Sequence, residues 1–246
     1  MQRVQLTVAG VRLAIAGDSV IGNRYPANFD VLHLDTDRPL VVVADGMGGG
    51  RGSAVAGRTA VDTFVAAVPG SPSPAALRAA VAEAQRRVLA AGARLDELTG
   101  CTLTALVGGD GDAWIVQIGD SRAYRLRGGQ LELLTVDHTV AWLGAIYGWF
   151  PADSQEAHAA RYRLLRYIGH PDAPEPDVLN MSLRPGDVYL LCTDGLAEQV
   201  AYERLAAVLG GPSDAATKAA TLLADSLAAG GNDNATAAVI EVAAAG

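Results

Sequence analysis

The chain has 246 residues, of which 50% are apolar and 19% are charged, and its formal net charge is −8. This composition can build a hydrophobic core and excludes a disordered chain. The negative charge argues against nonspecific binding to nucleic acid, which depends on Lys and Arg meeting phosphates. No uninterrupted apolar stretch reaches the length of a membrane span, so we expect a cytoplasmic protein without a membrane segment.

The N-terminal segment 1–17 could be mistaken for a signal peptide because it is largely apolar. Gln5 and Arg12 interrupt the apolar run, and the residues alternate as in a strand, so we predict one strand there. The two cysteines, Cys101 and Cys192, lie in apolar runs. They are predicted to be buried free thiols and give no sign of a disulfide framework.

The first third of the chain is predicted to form a strand, a loop and a second strand that ends at the sequence DGMGGG, residues 45–50. Apolar residues at helical spacing over 53–68 predict a first helix. Ser73 as N-cap and Pro74 at the first helical position predict a second helix, with Gly92 as its C-cap.

The middle of the chain is rich in predicted strands, at residues 101–108, 113–120, 122–127 and 131–136, with a hairpin turn at Gly128–Gly129. The aromatic segment 137–169 is predicted to be mostly helical. A strand at 187–195, a helix at 213–229 and a strand at 235–242 complete the chain. Because strands come in groups with paired helices between them, the pattern favours an α+β layered fold with mostly antiparallel sheets.

Acidic residues recur at the ends of the apolar runs. Asp45, Asp120 and Asp194 each follow such a run beside a glycine, and Asp30 and Asp233 each precede one. For any one of these sites a simple turn is the commoner explanation, since Asp and Gly both suit turns. If all five converge, their oxygens would suit Mg²⁺ or Mn²⁺ rather than zinc, and the four histidines show no metal-ligand spacing.

Six blocks follow one another along the sequence: NFD, VVVADGMGGGRGSAVA, GCTLTALV, IVQIGDSRAYRLRGGQLELLTVDHT, LRPGDVYLLCTDGL and GGNDNATAAVIEV. In content and order, from about residue 15 to 243, they resemble the metal-dependent Ser/Thr protein phosphatases of type 2C, the PPM family, in their compact bacterial form. The resemblance implies a four-layer αββα sandwich of two antiparallel sheets flanked by helix pairs, with a binuclear metal centre at one end. It also implies one catalytic domain over 1–246, with a flap at about 138–170.

The same resemblance implies roles for individual residues. Asp45 would bridge two Mg²⁺ or Mn²⁺ ions, and a hydroxide bridging the ions would attack the phosphorus of phosphoserine or phosphothreonine in line. Asn234 would support the neighbouring metal ligand. The other implied ligands are the Gly46 carbonyl and Asp30 for individual ions, Asp194 and Asp233 together for one ion, and Asp120 for a third, weaker site.

The sequence departs from the family pattern near the implied site. Arg24, the candidate for stabilising the phosphoryl charge, lies six positions before Asp30 where the family has five, and a surface arginine is the alternative. Phe29 stands where the family has a Glu that helps to hold one ion, so we expect weaker affinity there. Met47 stands where many eukaryotic members have a His and bacterial members commonly have Met.

The flap segment leaves two interpretations open. Trp142 and Trp149 could belong to a substrate-selecting lid, or they could pack the flap onto the core. Arg161, Arg163 and Arg166 could meet an acidic or phosphorylated partner or form a solvated face. His138 matches a family block, and no chemistry is assigned to it.

The leading hypothesis is an active phosphoprotein phosphatase, a monomer that opposes Ser/Thr kinases and acts on phosphorylated proteins. The alternative is a pseudo-phosphatase, in which the same fold serves as a binding or scaffold module; Phe29 and the displaced Arg24 motivate it. A structural Ca²⁺ protein is disfavoured, because Ca²⁺ loops gather their ligands within about 12 residues. The acids of this chain are spread from residue 30 to residue 233.

Overall fold

The structure is a computed structural model that describes residues 1–95, 97–109, 111–151 and 153–245; residues 96, 110, 152 and 246 of the expected domain lie outside this description. The strands are β1 (Gln2–Val8), β2 (Val11–Val20), β3 (Val31–Leu34), β4 (Leu40–Ala44), β5 (Leu103–Gly108), β6 (Ala113–Ile118), β7 (Arg122–Arg127), β8 (Gln130–Leu133), β9 (Asp177–Met181), β10 (Val188–Cys192) and β11 (Ala235–Ala244). The helices are α1 (Arg51–Ala67), α2 (Pro74–Gly92), α3 (Val140–Tyr147), α4 (Gln155–Arg161), α5 (Asp194–Ala197), α6 (Tyr202–Gly210) and α7 (Ala215–Ala228).

The strands form two sheets, and every pairing between the described strands is antiparallel. The six-stranded sheet has the order β1-β2-β11-β10-β7-β8, and the five-stranded sheet has the order β3-β4-β5-β6-β9. One core cluster joins α1 and α2 to the five-stranded sheet, and another joins α6 and α7 to the six-stranded sheet. The predicted α+β sandwich of four layers, αββα, is confirmed.

Strand β4 shows why an uninterrupted apolar run is needed at the centre of this sandwich. Val41 and Val43 pack into the core between the two sheets, whereas Val42 and Ala44 pack toward α1 and α2. Successive strand residues point to opposite faces of a sheet, so a strand covered on both faces needs apolar residues at every position. The run places the residue that follows it, Asp45, at the edge of a fully packed layer.

The prediction of one strand over 1–17 is wrong, because the segment folds back on itself as the β1–β2 hairpin. Ala9 and Gly10 form the turn with φ angles of 49° and 80°, and Val8 pairs with Val11 across it. Positive φ at both turn positions gives the twist of a two-residue hairpin. Ala9 is an unusual residue in that conformation, which explains why the turn carries no strong sequence signal.

The sequence pattern predicted the helices that flank the sheets more accurately than it predicted the flap. The Ser73 hydroxyl accepts a hydrogen bond from the Ala76 N–H at 3.2 Å, and α2 begins at Pro74 as predicted. It ends at Gly92, with Ala93 rather than Gly92 as the cap. The predicted helix at 213–229 is confirmed as α7, whereas α6 was not predicted.

The flap is not mostly helical, so this prediction is wrong. It contains two short helices: α3, which stops at Gly148 with φ 66°, and α4, which stops at Arg161. The chain then returns as an irregular stretch, here called the returning segment (residues 162–168), and makes isolated bridges to Thr139 and Cys101. These pairings consume backbone hydrogen bonds that a helix would otherwise use.

Candidate metal centre

The antiparallel register brings the acids to one end of the sandwich. In the six-stranded sheet Cys192 pairs with both Arg122 and Ala237, so the chain segments that carry Asp120, Asp194 and Asp233 leave the sheet at the same end. In the five-stranded sheet Val31 pairs with Ala44, which places Asp30 and Asp45 side by side at the end of the β3–β4 hairpin. Residues far apart in sequence therefore meet because of strand pairing.

A cavity of about 260 Å³ opens at this end of the sheets. The predicted site residues on its wall are Arg24, Asp45, Gly46, Asp120, Asp194 and Asp233. Asp30 is not on the wall, although its charge acts on that of Asp45. The structure therefore brings six of the seven predicted residues to one cavity and places the seventh next to it.

Asp30 is held by two hydroxyl groups. Its Oδ2 accepts hydrogen bonds from Thr193 Oγ1 at 2.8 Å and from Thr236 Oγ1 at 2.7 Å, while its Oδ1 is buried without a hydrogen-bond partner. Burial, together with the charges of Asp194 and Asp233, raises the pKa of Asp30 to about 7 against the opposing effect of the threonine hydrogen bonds. One oxygen of this carboxyl group is fixed and the other is left to bind something else.

Asp45 is fixed through its backbone. Its N–H donates to Thr102 Oγ1 at 2.9 Å, its carbonyl accepts from the Thr102 N–H at 2.9 Å, and the Thr102 hydroxyl lies 2.6 Å from that of Ser121. Burial raises the pKa of Asp45 well above its ordinary value, and the charges of Asp194 and Asp30 add to this effect. A rigid backbone thus presents a carboxylate that is costly to ionise in the absence of a cation.

The remaining acids experience the same repulsion. Burial and the charge of Asp194 raise the pKa of Asp120 well above its ordinary value. Burial and Asp194 also raise the pKa of Asp233 to about 6, although the Asn234 N–H and the charge of Arg24 act in the opposite direction. Asp194 itself has one buried oxygen, Oδ1, without a hydrogen-bond partner.

A hard divalent cation fits this set of side chains. In the part of the chain that the structure describes, no three His, Cys, Asp or Glu side chains are close enough together to form a ready-made metal site. The fit rests instead on the unpartnered oxygens of Asp30 and Asp194 and on the cost of burying several carboxylates together. Oxygen-only donors suit Mg²⁺ or Mn²⁺ rather than zinc.

Gly46 occupies a position that has no room for a side chain. A Cβ atom there would lie 2.5 Å from the Ser53 carbonyl oxygen and 2.9 Å from that of Phe29. The loop that follows is held by the Met47 N–H, which donates to the Gly100 carbonyl at 2.9 Å, and by the Ser53 hydroxyl, which donates to the Met47 carbonyl at 2.6 Å. The glycine therefore allows two other chain segments to pack against the residue after Asp45.

Arg24 lies on the cavity wall, with its guanidinium carbon 5.0 Å from the centre of the Tyr25 ring. Its charge lowers the pKa of Asp233, which places the guanidinium within electrostatic reach of that acid. The segment between β2 and β3 is irregular, so it can absorb the extra residue before Asp30 without disturbing a strand register. The position is compatible with a phosphoryl-binding arginine.

Phe29 is a buried packing residue whose ring meets the Tyr25 ring edge-on at 6.0 Å. Its backbone N–H donates to Asn234 Oδ1 at 2.8 Å, and Asn234 Nδ2 donates to the Ala27 carbonyl at 3.2 Å. The Asn234 N–H also donates to Asp233 Oδ1 at 2.8 Å. Asn234 thus ties the chain that carries Asp30 to the chain that carries Asp233.

Sequence reasoning missed the hydroxyl groups beneath the acids, those of Thr102, Ser121, Thr193 and Thr236. The signal that could have revealed them is a polar residue inside or beside a strand that is otherwise apolar. It also missed Tyr162 and Leu164 of the returning segment, which line the cavity. No motif marks these two residues, because their position depends on the path of the flap.

The layers and the acids together define a class: α+β sandwiches that gather oxygen donors for divalent cations at the ends of two facing antiparallel sheets. Residues 17–229 match the family described as Protein phosphatase 2C. The chain belongs to this family.

Two relatives and one solved structure illustrate the relationship. The serine/threonine protein phosphatase PstP of Mycobacterium tuberculosis is 35% identical over 214 residues, which is 82% of this chain and 40% of that protein. The serine/threonine phosphatase stp of Listeria welshimeri is 29% identical over 223 residues, 87% of this chain and 88% of that protein. The catalytic domain of PstP, solved in complex with two manganese ions, matches with a TM-score of 0.84 at 33% identity, covering 95% of this chain and 99% of that one.

The chain therefore spans less than half the length of the mycobacterial relative. It matches nearly all of the solved PstP catalytic domain, which supports the fold assignment independently of the sequence blocks. Among the described helices, none combines the length and the apolar character needed to cross a membrane.

Proposed function

We propose that the chain is a metal-dependent protein phosphatase that hydrolyses phosphoserine and phosphothreonine with two Mn²⁺ or Mg²⁺ ions. The observation that carries this proposal is the convergence of Asp45, Asp120, Asp194 and Asp233 on one cavity from four separate chain segments. The names of the similar proteins, and the two manganese ions in one of them, support it.

The proposed ligands follow from the side chains on and behind the cavity wall. Asp45 follows β4 directly, lies on the cavity wall and experiences the charges of Asp194 and Asp30. It is proposed to serve both ions, with the Gly46 carbonyl beside it. Asp194 follows β10 and Asp233 precedes β11, and these two strands are paired. The two acids are proposed to serve one ion. Asp30 can contribute only Oδ1, because Thr193 and Thr236 occupy Oδ2. Asp120 is proposed for a third, weaker site.

The chain's own residues have defined tasks around the ions. When bound, the cations would supply Lewis acidity and lower the pKa of a water molecule toward neutrality. Arg24 would bind the phosphoryl oxygens through its planar guanidinium group and orient the ester for in-line attack. The thiols are excluded as nucleophiles because Cys101 and Cys192 are buried, and burial raises the pKa of Cys192 to about 12.

We treat residues 1–246 as one catalytic domain with a flap at about 138–170. Tyr162 and Leu164 of the returning segment lie on the cavity wall, which supports a role for the flap in substrate selection. Trp149 is 59% exposed and stacks on the exposed Tyr147 rather than on the core. The exposure of Trp149 argues against the interpretation that this residue packs the flap onto the core.

The biological setting is proposed from the same features. Phosphorylated proteins, including a Ser/Thr kinase and its targets, are the proposed partners, and a monomer in the cytoplasm is the proposed state. Both cysteines are free and buried, which suits a reducing compartment. The net charge of −8 does not favour nucleic acid as a partner.

The pseudo-phosphatase remains the second candidate because Phe29 offers no oxygen where the family has a carboxylate. The buried position of its ring shows that the side chain is committed to packing. Against this candidate stands the retention of every other predicted acid around the cavity. The two candidates differ in whether the cluster turns over a phosphate ester.

The deciding experiment measures hydrolysis of p-nitrophenyl phosphate and of a phosphothreonine peptide with Mn²⁺, with Mg²⁺ and with EDTA. Turnover should need metal and should fall by more than about 100-fold in Asp194→Asn, since even residues that only support metal ligands affect activity 10–100-fold. Asp62→Asn, on the exposed face of α1, is the matched control and should retain full activity. A folded wild-type protein that is inactive with every metal would favour the scaffold candidate.

A further inference from the structure

The turn that carries Asp120 is held by the side chain and the backbone of His138, together with the Gln117 side chain. The Gly119 N–H donates to His138 Nδ1 at 3.1 Å, and the Gly119 carbonyl accepts from the His138 N–H at 2.9 Å. The Gln117 side-chain amide donates to the same carbonyl at 2.5 Å. Gly119 has φ 108°, and a Cβ atom there would lie 2.6 Å from the Thr102 side chain. The backbone before Asp120 therefore has one tightly defined position, and His138 sets both of its peptide contacts.

The other side of the His138 imidazole contacts residues at the base of the flap. His138 Nε2 lies 3.2 Å from Asp177 Oδ2, and the guanidinium of Arg166 lies beside the ring on the same carboxylate. Arg166 donates from Nη1 to Asp177 Oδ1 at 2.9 Å and to the Glu175 carbonyl at 3.0 Å. Asp177 is the first residue of β9, so this contact joins the returning segment to the edge of the five-stranded sheet.

The backbone reinforces the connection. The Leu165 N–H donates to the His138 carbonyl at 2.8 Å, and Thr139 forms a bridge with Leu164. Leu164 and Tyr162, on the same segment, line the catalytic cavity. A displacement of the returning segment at the cavity would therefore be transmitted through a few hydrogen bonds to His138.

The imidazole is suited to a fixed, neutral role. His138 is 5% exposed and is not on the cavity wall. Burial and the charge of Arg166 lower its pKa, which favours the neutral ring. A neutral ring with its proton on Nε2 accepts from Gly119 through Nδ1 and donates to Asp177. Because a guanidinium can only donate, Arg166 is linked to the ring through the Asp177 carboxylate that both groups contact.

We propose that His138 is a positioning residue that couples the returning segment of the flap to the Asp120 carboxylate. Contacts that a substrate makes with the flap would then alter the cation affinity at Asp120, and a cation at Asp120 would alter the flap by the same free energy. This inference rests on the proposed function, in which Asp120 serves the third, weaker cation site.

Two substitutions of His138 separate its two contacts. In His138→Asn the side-chain oxygen can take the place of Nδ1 and accept from Gly119, while the contact with Asp177, and through it the link to Arg166, is lost. In His138→Gln the longer side chain can reach Asp177, while the acceptor for Gly119 is lost. Arg166→Ala removes the flap partner and leaves the imidazole in place. Arg163→Ala, on the exposed part of the same segment, is its matched control.

The measurement is calorimetric titration with Mn²⁺, compared with Asp120→Asn to identify the binding event that depends on Asp120. We expect His138→Gln to weaken that event by about tenfold, as loss of a residue that supports a ligand does. We expect His138→Asn, which keeps an acceptor for Gly119 but loses the contact with Asp177, to weaken it by about threefold, as Arg166→Ala does. Arg166→Ala should weaken it by at least about threefold, although Arg166 is not on the cavity wall, and Arg163→Ala should leave it unchanged.

A double substitution tests whether the imidazole carries the coupling. In the His138→Asn background, where the link to Arg166 through Asp177 is already gone, Arg166→Ala should have no further effect on Mn²⁺ binding. Thermal unfolding of each variant identifies any that fail to fold, and Arg166→Ala keeps the test available if His138→Gln is one of them.

Unchanged Mn²⁺ binding in Arg166→Ala would overturn the coupling, and so would additive effects in the double variant. The inference would equally fail if Asp120→Asn removed no Mn²⁺ binding event from an otherwise active enzyme. Wild-type protein that bound no Mn²⁺ at all would instead contradict the proposed function, so the two failures are distinguishable.

Discussion

Threonine and serine hydroxyls support the acids of the cavity from behind. Thr193 and Thr236 both donate to one oxygen of Asp30, and such bonds favour the ionised form of a carboxyl group that burial disfavours. Thr102 anchors Asp45 through its backbone rather than through its carboxylate, which leaves that carboxylate available. The hydroxyls therefore orient the acids without neutralising them, as ligands of a cation require.

At the residue scale, the Gly46→Ala substitution tests how tightly the loop after Asp45 is packed. The added methyl would lie 2.5 Å from the Ser53 carbonyl oxygen, and both neighbours are backbone atoms that cannot rotate away. We expect a loss of about 1–3 kcal/mol in the free energy of unfolding, measured by urea denaturation, together with weaker Mn²⁺ binding.

Gly70→Ala is the control for this substitution, since nothing lies within 4 Å of a Cβ atom at Gly70 and its φ is not in the left-handed region. It should leave stability and Mn²⁺ binding close to those of the wild type. Equal stability of the two variants would contradict the close approach at Gly46.

The acids were predictable from the sequence and the hydroxyls were not, for a physical reason. A charged residue at the end of an apolar run, such as Asp45 or Asp194, is costly in a core and therefore stands out. A buried threonine such as Thr236 is compatible with a strand whether or not it binds an acid. Which hydroxyl meets which carboxylate depends on strand register, and one sequence does not specify that.

At the scale of the elements, the flap defines a second surface beside the cavity. A groove of about 580 Å³ lies between the flap helices and the α5–α6 region, and Trp142, Arg161 and Tyr202 are among the residues that line it. A smaller cleft that includes Tyr162 and Glu198 shares residues with both the cavity and this groove. A peptide with its phosphate in the cavity could therefore extend past Tyr162.

Tyr162→Ala tests this path. We expect kcat/KM for a phosphothreonine peptide to fall by about tenfold through loss of the aromatic contact, which corresponds to about 1.4 kcal/mol. Turnover of p-nitrophenyl phosphate, which has no flanking residues, should stay near the wild-type value. Tyr147→Ala is the control, because Tyr147 is equally exposed on the flap but stacks on Trp149 away from the cavity. Equal losses for both substrates would place Tyr162 in the chemical step instead.

The elements differ in how far their sequences determine them. Helix α2 has an N-cap, a proline and an apolar face, so several local signals agree. The flap lacks that agreement: α3 and α4 are short, and the returning segment takes its conformation from pairing with Thr139 and Cys101. Helix α6 was missed because only Leu205 and Leu209 of its nine residues are buried.

For the molecule as a whole, the crowded acids predict an unusual pH dependence of stability. The pKa of Asp30 is about 7 and that of Asp233 about 6, both above the ordinary value, while Asp45 and Asp120 are shifted in the same direction. A raised pKa in the folded state stabilises the protein below the unfolded pKa of about 4, and this contribution is lost as the pH rises through 6 and 7. His138, with its lowered pKa, acts in the opposite direction.

The four acids make the folded state less stable as the pH rises, and the one histidine has the opposite effect. We therefore expect the melting temperature in EDTA to decrease as the pH is raised from 5 to 8. Mn²⁺ should raise the melting temperature more at pH 8 than at pH 5, because cations bind the ionised acids and release their protons. Differential scanning calorimetry in both conditions measures this. Asp233→Asn should flatten the decline in EDTA, and a melting temperature that rose with pH in EDTA would contradict the assignment.

The strand pair that carries Asp194 and Asp233 has a further consequence for how the chain can vary in length. After α5 the chain runs away from the cavity along α6, packs at Gly210 near Leu126 by the far end of β10, and comes back along α7. Both acids are set by the β10–β11 register, not by the path between them. The turn at 211–213 is therefore the place where an insertion, a fused peptide or a fluorescent label could be accommodated while the spacing of the two carboxylates is preserved.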